Sequence, residues 1–548
     1  MSTISNPQPP GAAFRRRTFL GLTAAGVPAV LAACSSGGGT GSATPTTEAS
    51  GDVLPNYVPV EFAEPDFPSV DGSPAGFLAI PTDLAQSVAE PPGSGATFSA
   101  MTPLWGTIPP VDGNQYYEAV NGLLGSTIEF QITDGNVYGD KLATVLASPR
   151  DVPDWVSIPL WNLPPRFGSE IVGNVFTDLG PYLAGAAVEE YPNLANLPTD
   201  SWRMCVFNGK LYGLPFPAAT TPRDATFYRS DLLEELGIAA DVTDGDALLA
   251  LALELTGGNQ WGAEDLWNTA QMIHKVPPKW RLDDDGRLIN KIETEEYRAS
   301  LEWNAQLFAS GAVHPDAVAD NMTESKLRFQ SGQSLIMMDG LGGWHEALRD
   351  NLAANPDYWQ QPFAPFAADG SEPQFWKADP AGILSFLKQT DDEAKIRELL
   401  ALANVLAAPF GTVEYQTATF GVEGVHYTLD ANNLPVPTDL AATELQPTYT
   451  FLVQPPAVEA HVQYPGFVEA ASEYNVRATE IAAEPLFYAM QISEPPQYAS
   501  IGQPFVDLEK DISRGRKSMA DLDAAIETWR SSGGEELRAF YTEILESE

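Results

Sequence analysis

The stretch NGKLYGLP at residues 208–215, followed by FYRSDLLEELGI at residues 227–238, organises the centre of this 548-residue chain. Its pair Asn208-Gly209 is a strong signal for a two-residue hairpin turn, because both residue types tolerate a positive φ. The serine and aspartate of the second segment suit the start of a helix, and Gly237 suits its left-handed end. We therefore predict a hairpin and a strand, followed by a short helix.

Strand-like and helix-like segments alternate along the chain before this stretch. Residues 97–104 and 126–133 have a strand pattern, and residues 114–124 and 138–148 have a helix pattern. The alternation predicts an α/β fold with a mostly parallel sheet, in which ligands bind beyond the carboxyl ends of the strands. Further helices are predicted at 229–236, 243–255, 293–310, 391–407 and 504–548 (with a break at 533–534), and further strands at 334–338, 381–386 and 448–453.

The amino terminus has the three parts of an export signal. Arg15, Arg16 and Arg17 precede an apolar run at residues 19–33, which is shorter than the roughly 20 residues that a spanning helix needs. The letters RRTFL resemble a twin-arginine motif, and LAAC at residues 31–34 resembles a bacterial lipobox. We expect a signal peptide at 1–33, a lipid on Cys34 and a flexible tether at 34–58 that is rich in Gly, Ser and Thr. An ordinary secretory signal with an incidental cysteine is the alternative.

The chain is strongly acidic, with 30 basic and 73 acidic residues and a formal net charge of −43. Such a charge repels nucleic acid and anionic lipid, so we expect no nucleic-acid partner and no membrane contact except through the lipid anchor. It also argues against a strongly anionic ligand. Of the two cysteines, Cys34 and Cys205, the first is reserved for lipid, which leaves Cys205 as a buried small hydrophobe without a disulfide partner.

Several segments in order resemble extracellular solute-binding proteins. The two central stretches are similar to the core signature of that family, although Arg229 stands where the family often has Asn. The segments at 301–316, 329–338, 415–428 and 511–538 are similar to further family blocks, the last two to the oligosaccharide-binding lipoprotein branch. Together these segments cover most of residues 97–545.

The resemblance implies a two-lobed type II periplasmic-binding-protein fold with multiple interlobe crossings. It also implies a ligand held in the cleft, the permease of an ABC importer as partner, and a place on the outer face of the bacterial cell membrane. We expect a monomer and hinges near 213–221, 375–382 and 449–455. The expected lobes are residues 59–212 plus 378–450, and residues 213–377 plus 451–548.

Sugar recognition requires aromatic rings for the C–H faces of the ligand, and polar side chains for its hydroxyl groups. Trp303 and Trp529 have helical spacing and are predicted to belong to the core. Arg223 could bind two hydroxyl groups or a uronate carboxylate, although a surface ion pair is an equal alternative. The candidate ligand contacts are Trp105, Trp161, Arg223, Trp344, Trp376, His426 and Tyr427, with Asp134, Asn136 and Glu423 as weaker candidates.

Two other function classes stay open on the sequence: a surface lipoprotein that degrades polysaccharide, and a peptide- or polyamine-binding protein on the same fold. The sequence contains no HExxH, GxSxG or GxxxxGK[ST] motif, and we assign no catalytic residue and no cofactor. We also predict no bound metal, because residues 256–267 lack the alternating oxygen ligands of a calcium loop. The acidic run at 283–286 is predicted to be a turn.

Overall fold

Nine strands form the two largest sheets of the protein. The structure, a computed structural model, describes residues 53–164, 166–219, 223–431, 434–498 and 500–547; the predicted signal peptide, Cys34 and most of the predicted tether lie outside these residues. In chain order the strands are β1 (Thr97–Leu104), β2 (Thr127–Asp134), β3 (Trp155–Pro159), β4 (Gly213–Pro217), β5 (Asp224–Tyr228), β6 (Trp261–Ala263), β7 (Ser334–Gly340), β8 (Gln361–Pro362) and β9 (Ala381–Leu387).

The first sheet has the strand order β2-β1-β3-β9-β4. Strand β1 is parallel to β2 and β3, as predicted, whereas β9 is antiparallel to both β3 and β4. The carboxyl ends of β1, β2, β3 and β4 therefore lie at one edge, together with the beginning of β9. We call this edge the carboxyl edge of the first sheet.

The second sheet has the order β8-β5-β7-β6. Strand β7 is antiparallel to β5 and parallel to β6, and Gly340 at the end of β7 pairs with Asp224 at the start of β5. The carboxyl ends of β6 and β7 thus meet the start of β5 at one edge of this sheet. Both sheets are mixed, so the prediction of a mostly parallel sheet holds only for β1, β2 and β3, while two of the three pairings in the second sheet are antiparallel.

Besides five unpredicted helices at 267–273, 325–330, 342–351, 413–420 and 467–480, helices form at all the predicted places. In the first of them, Asn114 accepts a hydrogen bond from the Tyr117 backbone N–H at 3.0 Å, and Gly125 ends the helix in the left-handed region. Its buried residues recur at helical spacing, which places one face on the first core. The helices of six or more residues are α1 (Gln115–Leu124), α2 (Tyr138–Leu146), α3 (Ser230–Leu236), α4 (Gly245–Glu254), α5 (Trp267–Ile273), α6 (Glu295–Ser310), α7 (Ser325–Gln330), α8 (Gly342–Asn351), α9 (Glu393–Leu406), α10 (Val413–Phe420), α11 (Phe467–Glu480), α12 (Gln503–Ser513), α13 (Met519–Trp529) and α14 (Glu535–Ser547).

The central stretch has the predicted conformation. Asn208 and Gly209 both have positive φ, and they join the short strands Val206–Phe207 and Lys210–Leu211. Gly237 ends α3 in the left-handed region. At the start of α3, however, the capping position belongs to Arg229, whose buried guanidinium pairs with Asp231, so no side chain of the predicted Ser-Asp pair caps the helix.

Among the crossings between the two sheets and their cores, three lie close to the predicted hinges. The first crossing joins the end of β4 to the start of β5, and the second joins the short strand Phe375–Trp376 to β9. The third lies between Val453, which packs in the first core, and Val462, which packs beside the second sheet. The predicted lobe boundary after residue 212 is therefore too early, because β4 belongs to the first sheet. The predicted lobe boundary after residue 450 is also too early, because Leu452 and Val453 pack in the first core. Rotation about these crossings stays a prediction.

One predicted strand is wrong. Residues 448–453 form turns, not a strand, and they are flanked by Pro447 and by Pro455 and Pro456. Proline supplies no N–H to a sheet, so this apolar run packs by its side chains instead. Tyr449 is fully buried and donates a hydrogen bond from its hydroxyl group to Asn121 at 2.9 Å.

The core predictions for single residues are confirmed. Trp303 is buried and donates from its indole N–H to the Gly245 carbonyl at 3.0 Å, and Trp529 is buried among the carboxyl-terminal helices. Cys205 is fully buried, and burial raises the pKa of its thiol. The acidic run at 283–286 is the turn of a hairpin between Trp280–Leu282 and Leu288–Asn290.

Candidate ligand-binding site

The carboxyl edge of the first sheet presents two exposed tryptophan rings. Trp105 directly follows β1 and Trp161 lies in the short 3-10 helix Leu160–Asn162 that follows β3. Trp105 is 44% exposed and Trp161 is 60% exposed. Since β1 and β3 are parallel neighbours, their ends bring the two rings together, with 5.8 Å between ring centroids.

Two phenylalanines that the sequence analysis missed extend this pair into a row. The Phe451 ring lies 5.9 Å from that of Trp105 in an edge-on arrangement, and the Phe216 ring stacks on Phe451 at 6.2 Å. Phe216 belongs to β4 and Phe451 to the turn before the third crossing. We call Trp105, Trp161, Phe216 and Phe451 the aromatic strip. The only sequence signal for the phenylalanines was their position next to predicted hinges.

A glycine sets the position of the Trp105 ring. A Cβ atom added to Gly135 would overlap the indole, so the ring lies directly on the backbone at this residue. The Gly135 N–H donates to the Leu104 carbonyl at 2.9 Å, which extends the pairing of β1 and β2 to the edge. The Asp134 carboxylate accepts from the Asn136 backbone N–H at 2.8 Å and from its side-chain amide at 2.9 Å. The exposed Asp134 and Asn136 are therefore held beside the strip, as candidates for bonds to ligand hydroxyl groups.

Arg223 lies at the first crossing and contacts the second. Its guanidinium donates to the Asp379 carbonyl at 3.1 Å and lies against the backbone of Gly382 in β9. The next residue, Ile383, pairs with Phe216 of the aromatic strip. The structure thus brings together five of the predicted contact residues at one edge: Trp105, Asp134, Asn136, Trp161 and Arg223.

Trp344 is placed elsewhere. It is 2% exposed and lies in α8, where its ring contacts the rings of Phe227 and Phe467 edge-on. Trp344, Ala347 and Leu348 share the buried face of the helix. The predicted ligand contact is thus a core residue in this conformation, because the glycine loop before it is short and the helix turns the ring inward.

Trp376 is half-buried in the strand Phe375–Trp376, which pairs with Ala482–Ala483. Its indole N–H donates to the Lys275 carbonyl at 3.3 Å. These contacts belong to the second lobe. They do not bring Trp376 to the aromatic strip.

The predicted contacts at residues 423–427 also lie apart from the strip. His426 is fully buried, accepts from the Val422 backbone N–H at 3.0 Å and lies 3.3 Å from the carboxylate of Glu444. Tyr427 is buried and accepts from the Gln416 amide at 3.1 Å. Glu423 is exposed on the loop before them. His426 and Tyr427 hold this loop to the body of the protein and have no free surface for a ligand.

The edge of the second sheet near Arg223 is polar rather than aromatic. Burial raises the pKa of Asp224, and the nearby Asp339 raises it further, against the opposing effect of Arg223. Oxygen Oδ2 of Asp339 is buried without a hydrogen-bond partner, and Lys326 lies 3.6 Å from it. Such groups suit bonds to hydroxyl groups or to charged groups of a ligand.

Among the described residues, no group of three or more His, Cys, Asp or Glu side chains has the arrangement to hold a metal ion. Within the same residues, no helix combines the length and apolar content needed to cross a bilayer.

This chain is similar in sequence and in structure to known proteins. The polygalacturonan/rhamnogalacturonan-binding protein YtcQ of Bacillus subtilis (strain 168) is 22% identical over 500 residues, which cover 86% of this chain and 96% of the relative. The structure of alginate-binding protein AlgQ2 without calcium ion matches with a TM-score of 0.57 at 14% identity, and the match covers 84% of this chain and 98% of AlgQ2. N-glycan transport solute binding protein NgtS from Streptococcus pneumoniae, in complex with Man1GlcNAc, matches with a TM-score of 0.56 at 13% identity, over 82% of this chain and 100% of NgtS.

The two structural matches show the two-lobed α/β fold. The family model for the bacterial extracellular solute-binding protein matches residues 113–404, which is more than half of the sequence. With the two sheets and three crossings described above, this match identifies the chain as a member of the bacterial extracellular solute-binding protein family.

Proposed function

We propose that this protein is the substrate-binding lipoprotein of an ABC importer and that it captures an oligosaccharide on the aromatic strip. The observation that carries the proposal is the exposure of Trp105 and Trp161 as neighbouring rings at the carboxyl edge of the first sheet. Large exposed aromatic rings in contact with one another are unusual in a soluble protein unless they meet a partner. Their faces suit the C–H faces of sugar rings.

The groups around the strip supply the polar half of sugar recognition. Asp134 and Asn136 lie beside Trp105, and Arg223 lies beside the strand that carries Phe216. A ligand on the strip would therefore face carboxylate, amide and guanidinium groups together, which is the mixture that orients hydroxyl groups. Because Phe216, Phe451 and Arg223 lie next to crossings, a ligand that touches them favours one arrangement of the lobes over another.

The remaining parts of the proposal rest on the sequence. The twin-arginine-like signal and the lipobox support export, cleavage before Cys34 and attachment of this cysteine to lipid at the outer face of the cell membrane. The tether then gives a monomeric binding domain reach toward the permease. In this proposal the sugar leaves the protein unchanged.

Binding measurements test this function directly. Titration of the purified protein with a panel of oligosaccharides, followed by calorimetry and tryptophan fluorescence, should show saturable binding that a Trp105→Ala, Trp161→Ala double variant loses. Tyr57→Ala is the matched control, because Tyr57 is 53% exposed but lies outside the strip, and it should bind as the wild type does.

The same samples discriminate between the alternatives. Product analysis of each sugar after incubation would reveal hydrolysis, which would replace the proposed binder with an enzyme. Saturable binding of peptides or polyamines, with no response to any sugar, would assign the site to the other ligand class.

A further inference from the structure

The arginines of this acidic protein are nearly all engaged by carboxylates. Among the described residues, every arginine except Arg150, Arg223 and Arg477 lies within 4.0 Å of a carboxylate oxygen. An unpaired guanidinium in a chain of net charge −43 is therefore a distinct local feature.

The three exceptions lie in different places. Arg150 is exposed in the turn between α2 and β3, at the opposite edge of the first sheet, and its carbonyl accepts from Lys388 at 2.9 Å. Arg477 is exposed on α11. Arg223 alone of the three lies at the carboxyl edge of the first sheet, beside the aromatic strip.

The backbone around Arg223 leaves most of its donors available. The register of β9 against β4 shifts between Ala381 and Ile383, and the guanidinium lies against the intervening Gly382. One N–H group donates to the Asp379 carbonyl at 3.1 Å. A guanidinium has five N–H donors in a planar fork, which matches a carboxylate in a bidentate arrangement.

The acidic residue next in the chain does not form an ion pair with Arg223. No oxygen of the Asp224 carboxylate lies within 4.0 Å of the guanidinium. Burial raises the pKa of Asp224, and the charge of Arg223 lowers it. Asp379 contacts Arg223 through its backbone carbonyl. The site therefore combines a fixed cation with an adjoining aromatic row.

We propose that Arg223 binds the carboxylate of an acidic sugar unit, so that the preferred ligand is an oligosaccharide that contains uronic acid. The inference rests on the proposed function, because the aromatic strip holds the neighbouring sugar units while the guanidinium selects the acidic one. The overall negative charge of the protein opposes anionic ligands at long range, so discrimination depends on this one short-range contact.

Matched pairs of ligands test the inference. Calorimetry should compare oligogalacturonate, oligoglucuronate and oligomannuronate with their neutral methyl esters, against the wild type, Arg223→Gln, Arg223→Lys and the control Arg150→Gln. We expect at least one acid to bind tenfold or more tightly than its ester. We expect Arg223→Gln to abolish that ratio because it weakens the acid far more than the ester, Arg223→Lys to retain part of it, and Arg150→Gln to leave it unchanged.

The outcomes separate the inference from the function beneath it. An ester that binds as tightly as its acid, or an acid-to-ester ratio that survives in Arg223→Gln, overturns the role of Arg223 while oligosaccharide binding stands. Failure of every acid and ester, with neutral oligosaccharides bound normally, also overturns it. If no saccharide of any kind binds, the proposed function fails as well. Equal thermal unfolding of the wild type and Arg223→Gln establishes that the variant is folded.

Discussion

The two sheets end in opposite ways at the edges where the chain crosses between them. In the first sheet, β1 and β3 are followed at once by Trp105 and Trp161, whose rings are exposed. In the second sheet, β7 is followed by the glycines that begin α8, and the next tryptophan, Trp344, faces the core. A tryptophan shortly after a strand is thus exposed where a loop follows the strand, as at Trp105, and buried in the core where a helix follows, as at Trp344.

The helical spacing explains the difference. Trp344 precedes Ala347 and Leu348 by three and four residues, and all three lie on the buried face of α8. Trp105 is followed by the exposed Ile108 in a loop with no helical spacing, and its ring lies on the backbone of Gly135.

Trp344→Ala should lower the free energy of unfolding and leave the affinity for sugar unchanged. Removal of a fully packed indole leaves a cavity, and such substitutions lower the free energy of unfolding by about 3–5 kcal/mol. Chemical denaturation measures that loss, and calorimetry on the folded fraction should give the wild-type sugar affinity. A large loss of affinity with unchanged stability would return Trp344 to the binding site.

Trp105→Ala and Trp161→Ala should show the reverse pattern. Each removes a half-exposed ring, so the free energy of unfolding should change little. Sugar affinity should fall by about 1–3 kcal/mol for each, the range found for important aromatic contacts. Parallel denaturation and calorimetry separate the two effects. Wild-type affinity in both variants would remove the aromatic strip from the site.

Gly135→Ala should weaken binding without touching the ligand. The added methyl group would displace the Trp105 ring from its place on the backbone, and we expect an affinity loss of about 1 kcal/mol, at the low end for a weakened aromatic contact. Gly122→Ala in α1 is the matched control, because a Cβ there meets no atom within 4 Å. Equal sugar affinity in Gly135→Ala and Gly122→Ala would contradict the placement of the Trp105 ring on the Gly135 backbone.

The pH dependence of stability should report on α8 as a core element. The rings of His345 in α8 and His461 stack at 3.8 Å, and burial lowers the pKa of His345 to about 4, helped by the nearby Arg349 and Lys326. Below pH 6.5 His345 of the unfolded chain binds a proton, whereas His345 of the folded protein stays neutral until the pH approaches 4. The free energy of unfolding therefore falls as the solution is acidified. His345→Phe should reduce this fall between pH 7.5 and pH 5 by on the order of 1 kcal/mol. Denaturation curves at both pH values measure it, and an unaltered fall would place the titration elsewhere.

Local signals in the sequence were sufficient for much of the fold. The pair Asn208-Gly209 predicted its hairpin because few residues accept two successive positive φ values. Strand β1 has the predicted limits 97–104, and α1 begins after Asn114 and ends at Gly125 as predicted. Each of these features depends on residues that are close together in the sequence, so the sequence alone is sufficient to predict it.

The site was predicted only in part, because it is assembled from distant segments. Trp105, Asp134 and Asn136 lie at or just after the ends of predicted strands, where the rule for parallel strands places ligand contacts, whereas the strand that positions Trp161 was not predicted. Phe216 and Phe451 join them through the first core and the third crossing, which no local pattern in the sequence reveals. His426 was misplaced for a related reason: its partner Glu444 lies 18 residues later, and the contact holds the imidazole in the interior, where it is fully buried.

The burial of Cys205 has a practical consequence for measuring capture in real time. The thiol is inaccessible, and its raised pKa keeps it in the unreactive protonated form. Within the described part of the chain it is the only cysteine, so a new one placed at an exposed position beside the strip would be the one reactive thiol among those residues for a fluorescent dye. The protein thus offers a ready scaffold for an optical sensor whose signal reports the arrival of sugar.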